Sequence, residues 1–166
     1  MAKVRQTDPA SPEAVGILEQ SWRFLDALFP PEERFRLDLE SLRASNVTFF
    51  LATEGGMAVG CAAFAQQGDD WGELKSMFVI PAARGSGAAR DLLDAVEAAA
   101  LERGCSTLRL ETGKGLDAAH AFYARHGFTR TTAFGNYPKA PEDAPSSIFM
   151  EKNLAPDSHD GGESSR

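Results

Sequence analysis

The stretch "VIPAARGSGAARDLL", Val79 to Leu93, sets an apolar run, a proline and two glycines ahead of an apolar pattern at helical spacing. A strand that feeds a glycine turn and then a helix leaves unbonded backbone amides at the helix start. The helix macrodipole adds partial positive charge there, and glycine lets a ligand come close to the backbone. This combination binds an anion, most often a phosphate. The helix it opens runs from about Gly87 to Arg103, with Leu92, Leu93, Val96, Ala99 and Ala100 on its apolar side. Gly104 follows as its stop.

The flanks supply the rest of the fold. Before the turn, the runs Val47 to Ala52, Met57 to Gln66 and Glu73 to Ile80 read as a three-strand meander, broken at "EGG" (54–56) and "QGDDWG" (67–72). Residues 3–6 form a short first strand. Val15, Leu18, Trp22, Leu25 and Leu28 predict a helix over Pro12 to Leu28, and Arg34 to Arg43 reads as a second, shorter helix. After the long helix come a strand (Thr107 to Thr112), a helix (Leu116 to His126) stopped by Gly127, and closing strands at Phe128 to Phe134 and Ser147 to Glu151. The strands on either side of the long helix are joined by a crossover and should be parallel. The fold class is α/β (α+β): a mixed, twisted sheet of six to seven strands flanked by about four helices.

The 166 residues suit one domain, 1–155, with "PDSHDGGESSR" (156–166) as a flexible polar tail. The net charge of −7 gives no basic surplus for nucleic acid and leans toward cationic ligands such as polyamines or aminoglycosides. Cys61 and Cys105 form no CxxC pair and the three histidines are scattered, so no metal site is read. His120 and His126 stand six apart, which does not make a metal pair on one helix. Met1 is followed by polar residues without an apolar stretch, and no run approaches about 18 apolar residues. A cytoplasmic protein with no membrane partner is expected.

Three phosphate-binding patterns compete for the glycine turn. The dinucleotide pattern G-x-G-x-x-G fails, because Arg90 stands three after Gly87. The P-loop pattern fails twice at "TGKG" (112–115), with Leu108 in place of the first glycine and Gly115 in place of Ser/Thr. The pattern [Q/R]-x-x-G-x-[G/A] is met by Arg84, Gly87 and Ala89, preceded by "FVIP". Some 35 residues on, "AAHAFYARHGF" (Ala118 to Phe128) supplies Ala119, Phe122, Tyr123, Gly127 and Phe128. With these two motifs the sequence resembles the GNAT superfamily of acetyl-CoA-dependent N-acetyltransferases.

The resemblance implies the GNAT fold and an enzyme that moves an acetyl group from acetyl-CoA to a primary amine by direct attack. It places the pyrophosphate on the backbone of Arg84, Gly85, Ser86, Gly87, Ala88, Ala89 and Arg90, and the pantetheine arm beside Met77, Phe78 and Val79. It makes Tyr123 the proton donor to the departing thiolate. Many members carry an Asn seven residues before that tyrosine; here the position is Leu116, so that contact is not carried over. Members often pair, which makes a homodimer the expectation for assembly. A small-molecule amine is the expected acceptor, and an acyl-CoA-binding regulatory domain without turnover is the alternative.

The nucleophile needs a base. A lysine-like amine with a reference pKa of about 10.4 is only about 0.04% neutral at pH 7. A carboxylate can take its proton directly or through water. Glu73, on the strand before the glycine turn, and Glu111, on the strand after the long helix, both lie where family members keep such a group. Glu73 has a second reading, a pair with Lys75 two residues on and on the same face. Trp71 and Tyr137, the latter in the Pro-rich loop 134–147, are candidate acceptor contacts. "FPPEERF", with Glu32, Glu33 and Arg34, is the expected far wall of the acceptor cleft.

Overall fold

The computed structural model describes residues 2–154. The tail expected over 156–166 lies outside the described residues. Seven strands form one sheet: β1 (Lys3–Gln6), β2 (Val47–Glu54), β3 (Met57–Gln66), β4 (Trp71–Val79), β5 (Thr107–Gly113), β6 (Thr129–Thr131) and β7 (Ser147–Asn153). Their spatial order is β1-β2-β3-β4-β5-β7-β6. Helices α1 (Pro12–Leu28) and α2 (Leu39–Leu42) precede β2, α3 (Ala88–Glu102) joins β4 to β5, and α4 (Asp117–Arg125) follows β5.

Each face of the sheet carries its own core. Phe64, Leu74, Leu108 and Leu110 pack with Leu92, Leu93 and Val96 of α3 and with Tyr123 of α4. Phe49, Leu51, Cys61 and Phe78 pack with Ala14, Ile17 and Leu18 of α1. Ser11 caps α1 by accepting the Ala14 amide at 3.3 Å, and Pro12 occupies its first turn.

The helix expected over Arg34 to Arg43 is a single turn, Leu39–Leu42. Pro30 and Pro31 lead into a short 3-10 turn. The Arg34 Nε then folds back to donate to the Phe29 carbonyl at 2.8 Å, and Asp38 accepts the Ser41 amide at 2.8 Å, so the helix starts only at Leu39. The strand expected over Phe128 to Phe134 shortens to Thr129–Thr131. Phe134 instead turns inward, its ring 5.6 Å from Trp71 and 5.4 Å from Phe149.

Two irregularities of β4 open the middle of the sheet. Opposite β3, Cys61 pairs with Phe78 and Ala63 with Lys75, so Ser76 and Met77 face the single residue Ala62. Ser76 takes φ 57°, the one non-glycine residue with positive φ among those described, and the bulge re-aims the strand beyond it. On its other side β4 pairs in parallel with β5 only from Trp71–Glu73 to Thr107–Arg109. Past that point β4 stays with β3 and β5 stays with β7 through Gly113, so the two central strands diverge. The end of α1 closes over the gap: a Cβ on Gly113 would lie 2.2 Å from the Phe29 ring.

Candidate active site

The divergence of β4 and β5 continues into a cleft of about 880 Å³. One end is the glycine turn. Gly85 (φ 84°) and Gly87 (φ 94°) adopt backbone that L side chains rarely take, and no atom would meet a Cβ at either. The Ser86 amide donates to the Ala83 carbonyl at 3.2 Å and the Ala88 amide to Ser86 Oγ at 3.4 Å. The amides of Gly85, Gly87, Ala89 and Arg90 have no partner among the described residues. Open amides at the start of a fifteen-residue helix fit an anionic group such as a pyrophosphate.

Eight residues expected to touch the donor line this cleft: Met77, Phe78 and Val79 on the strand, and Arg84, Gly85, Gly87, Ala89 and Arg90 at the turn. Ser86 and Ala88 do not line it. The Ala88 side chain is in the core at 1% exposure. Leu116 lines the cleft without capping α4 through its side chain.

Tyr123 projects from α4 into the same cleft. It is nearly buried, yet its hydroxyl bonds nothing among the described residues and is not sealed from solvent. Burial, and secondarily the Glu111 charge, pushes the phenol well above its ordinary value. It therefore remains a protonated donor at neutral pH.

The two candidate carboxylates part company. Glu111 lines the cleft, and Ser147 Oγ donates to its Oε2 at 2.7 Å. Burial pushes the Glu111 carboxyl up, while the Ser147 hydrogen bond and the Lys75 charge pull the other way. Glu73 is 4% exposed and does not line the cleft. It accepts from the Tyr137 hydroxyl and stands 3.4 Å from Lys75 Nζ. Lys75 in turn donates to Tyr137 Oη and to the Phe35 carbonyl, each at 2.8 Å. Tyr137 therefore joins Glu73 behind the cleft wall and reaches Lys75, which lines it; burial and Glu73 raise the Tyr137 phenol sharply. Trp71 also lies off the cleft, stacked under Arg109 at 4.6 Å.

Charge in the cleft runs against that of the whole chain. Arg84 and Arg90 of the turn, Arg125 of α4, Lys75 of β4, and Arg34 and Arg36 of the segment after α1 all line it. The acidic lining is Glu33, Glu111 and Asp117. Glu33 Oε1 accepts the Ser146 amide at 2.8 Å, and Glu32 is not part of the lining. The aromatic wall of Trp22, Phe24, Phe29 and Phe35 comes from α1 and the segment after it. Arg36 and Ser147 had no motif to mark them; Ser147 stands opposite Gly113 on β7, diagonal to Glu111.

His120 Nε2 donates to the Gly113 carbonyl at 2.8 Å and His126 Nδ1 to the Phe122 carbonyl at 2.8 Å, ties within the scaffold. Cys61 is fully buried and its thiol is pushed up to about 12, which leaves no thiolate at neutral pH. Among the described residues there is no group of three or more His, Cys, Asp or Glu set to hold a metal, and no helix long and apolar enough to cross a membrane.

Comparison with known proteins places the chain in a family. The model of the GNAT acetyltransferase family matches residues 14–128. The chain is 38% identical over 152 residues to an IAA acetyltransferase of Azospirillum brasilense, covering 91% of this chain and 97% of that one. A solved structure from Klebsiella pneumoniae, a candidate acyl-CoA N-acyltransferase, superposes with a TM-score of 0.79 at 33% identity, covering 93% and 99% of the two chains. The PaiA N-acetyltransferase of Thermoplasma acidophilum, solved with coenzyme A, shares the fold with a TM-score of 0.68 at 16% identity over 92% and 99%. The chain belongs to the GNAT acetyltransferase family and is an acyltransferase.

Proposed function

We propose that the protein transfers an acetyl group from acetyl-CoA to the primary amine of a small molecule, inside the cell, in one direct step. The observation that carries this reading is the Tyr123 hydroxyl: nearly buried, unbonded among the described residues, and open to a cleft that also holds Glu111 and the free amides of the glycine turn.

The chain's groups divide the work. The amides of Gly85, Gly87, Ala89 and Arg90, with Arg84 and Arg90, hold the donor's pyrophosphate. The backbone edge of Met77 to Val79 faces the open seam and suits the amide-bearing arm of the donor. Glu111 takes a proton from the incoming amine, either directly or through water. Its raised affinity for protons makes it a stronger base than an ordinary surface carboxylate. The amine nitrogen bonds to the acetyl carbonyl carbon, the carbon–sulfur bond breaks, and Tyr123 gives its proton to the departing sulfur. Glu73 acts at one remove, holding Lys75 of the lining and Tyr137 behind it in place.

Thiol release from acetyl-CoA is measured against an amine panel, for wild type and Tyr123→Phe. Amine-dependent release that drops in the variant is the expected result. CoA binding with no thiol release for any amine returns the chain to the regulatory alternative.

A further inference from the structure

The segment after α1 adds a pair of guanidinium groups to the cleft lining. Asp26 serves both: Arg36 Nη1 donates to its Oδ1, and Arg34 Nε stands 3.4 Å from the same oxygen. Arg34 is further held by the carbonyls of Phe29 (2.8 Å) and Asp26 (3.2 Å), and Arg36 lies over the Trp22 ring at 5.5 Å. One carboxylate between two guanidinium groups leaves one positive charge uncompensated. It also leaves the Arg34 Nη1 and the Arg36 Nε and Nη2 without partners among the described residues. Lys75 cannot serve in the same way, because Phe35, Tyr137 and Glu73 already take up its ammonium.

Forked N–H donors fixed in place and unengaged are the usual means of gripping a carboxylate. Glu111, the carboxylate read as the base, lies on β5, whereas this pair lies on the segment after α1. A ligand spanning the two would be a zwitterion, with its amine toward Glu111 and Tyr123 and its acid toward the arginines. Phe29 and Phe35 of the same segment add apolar surface to the lining.

Building on the acetyl-transfer reading, we infer that the acceptor is an aminocarboxylate with an apolar body, its acid held by Arg34 and Arg36. The overall charge of −7 pointed toward polyamines. A polyamine would set its second ammonium against these two cations, so the local arrangement reverses the global one.

The test measures kcat/KM for L-phenylalanine and 6-aminohexanoate, each against its carboxamide, with spermidine alongside. At least one acid should exceed its amide by roughly tenfold or more, the worth of a charge-assisted hydrogen bond. Spermidine should fall below both. Arg36→Gln should bring the acid-to-amide ratio to about one, and Arg36→Lys, which keeps the charge but loses the fork, should fall between. A thermal shift with CoA shows that each variant is folded. Amides equal to or better than both acids, spermidine as the best acceptor, or a ratio that Arg36→Gln leaves unmoved would overturn the inference. If no amine releases thiol, the acetyl-transfer reading fails, and calorimetry on the CoA-loaded protein decides this one. Acid binding that Arg36→Gln abolishes supports it, and equal or no binding of acid and amide ends it.

Discussion

Ser147 Oγ donates to Glu111 Oε2 at 2.7 Å across the β5–β7 pair, so the base proposed for the amine is held by the strand that closes the chain. The hydroxyl orients one carboxylate oxygen and leaves the other for the cleft. Burial works against ionisation and the hydrogen bond works for it, with burial the larger.

Glu111→Gln tests both sides of that balance. Turnover should fall about 100-fold, the usual contribution of a positioned base. The wild-type rate should rise with pH as Glu111 ionises, with a midpoint above the ordinary carboxylate value of about 4.3. Stability should move the other way. A folded-state pKa above the unfolded one means that folding favours the protonated acid. The stability it contributes is complete below the unfolded value and is lost as pH rises through the folded one. Glu111→Gln should therefore melt higher than wild type at pH 7, and the gain should shrink as pH falls to about 4. A variant that is less stable at pH 7 would refute the account of this site.

Tyr123→Phe should separate chemistry from folding. The lost hydroxyl bonds nothing among the described residues, so the melting temperature should hardly move. Turnover should fall by about 100-fold if the phenol protonates the leaving sulfur. CoA affinity, read by calorimetry, should stay within a factor of about three, because only the donor's thiol end is affected.

Glu73 and Lys75, with side chains 5% and 10% exposed, should behave as a structural pair. Lys75→Met alone leaves a buried carboxylate without its counter-charge and should cost about 3 kcal/mol or more. Glu73→Gln alone should cost less, because the Tyr137 hydroxyl keeps an acceptor. The double variant should be milder than the sum, with a coupling of at least about 1 kcal/mol from urea melts. Glu73→Gln that destroys turnover while leaving stability and CoA binding intact would make Glu73 the base instead.

Gly87→Ala probes the turn without a clash, since nothing would meet its Cβ. The penalty is conformational, about 1 kcal/mol for a side chain at φ 94°. The strain is relieved by rotating the backbone, which would turn the neighbouring amides away from the phosphate position. CoA affinity should therefore drop more than stability does, a contrast visible when calorimetry is set beside thermal melts.

The legible parts of the sequence were local. The glycine turn was readable because positive φ and open amides need particular residues at particular spacings, and the sheet was readable because alternation marks strands. The helix expected from Arg34 begins only at Leu39, because Arg34 donates instead to the carbonyls five and eight residues back, at Phe29 and Asp26, which apolar periodicity does not reveal. The choice between Glu73 and Glu111 was left open for a similar reason. Both occupy equivalent faces of neighbouring strands, and it is Tyr137, 64 residues away, that closes one of them off. Composition was silent about the lining at the acceptor end, because the sum of charges does not say which of them face inward.

The parting of β4 and β5 has a consequence for how the molecule keeps to itself. The sheet's outer margins are blunt: β1 has four residues, two of them basic, and β6 has three. Its long unpaired backbone runs down the middle instead, along two strands still joined at one end. A strand from another molecule needs about 9.6 Å between its two neighbours, twice the ordinary spacing. A wedge that narrows to a bonded pair cannot admit such a strand along its length, whereas a slender chain entering end-on can use the wide part. The most adhesive stretch of main chain is thereby kept from aggregation by its own taper.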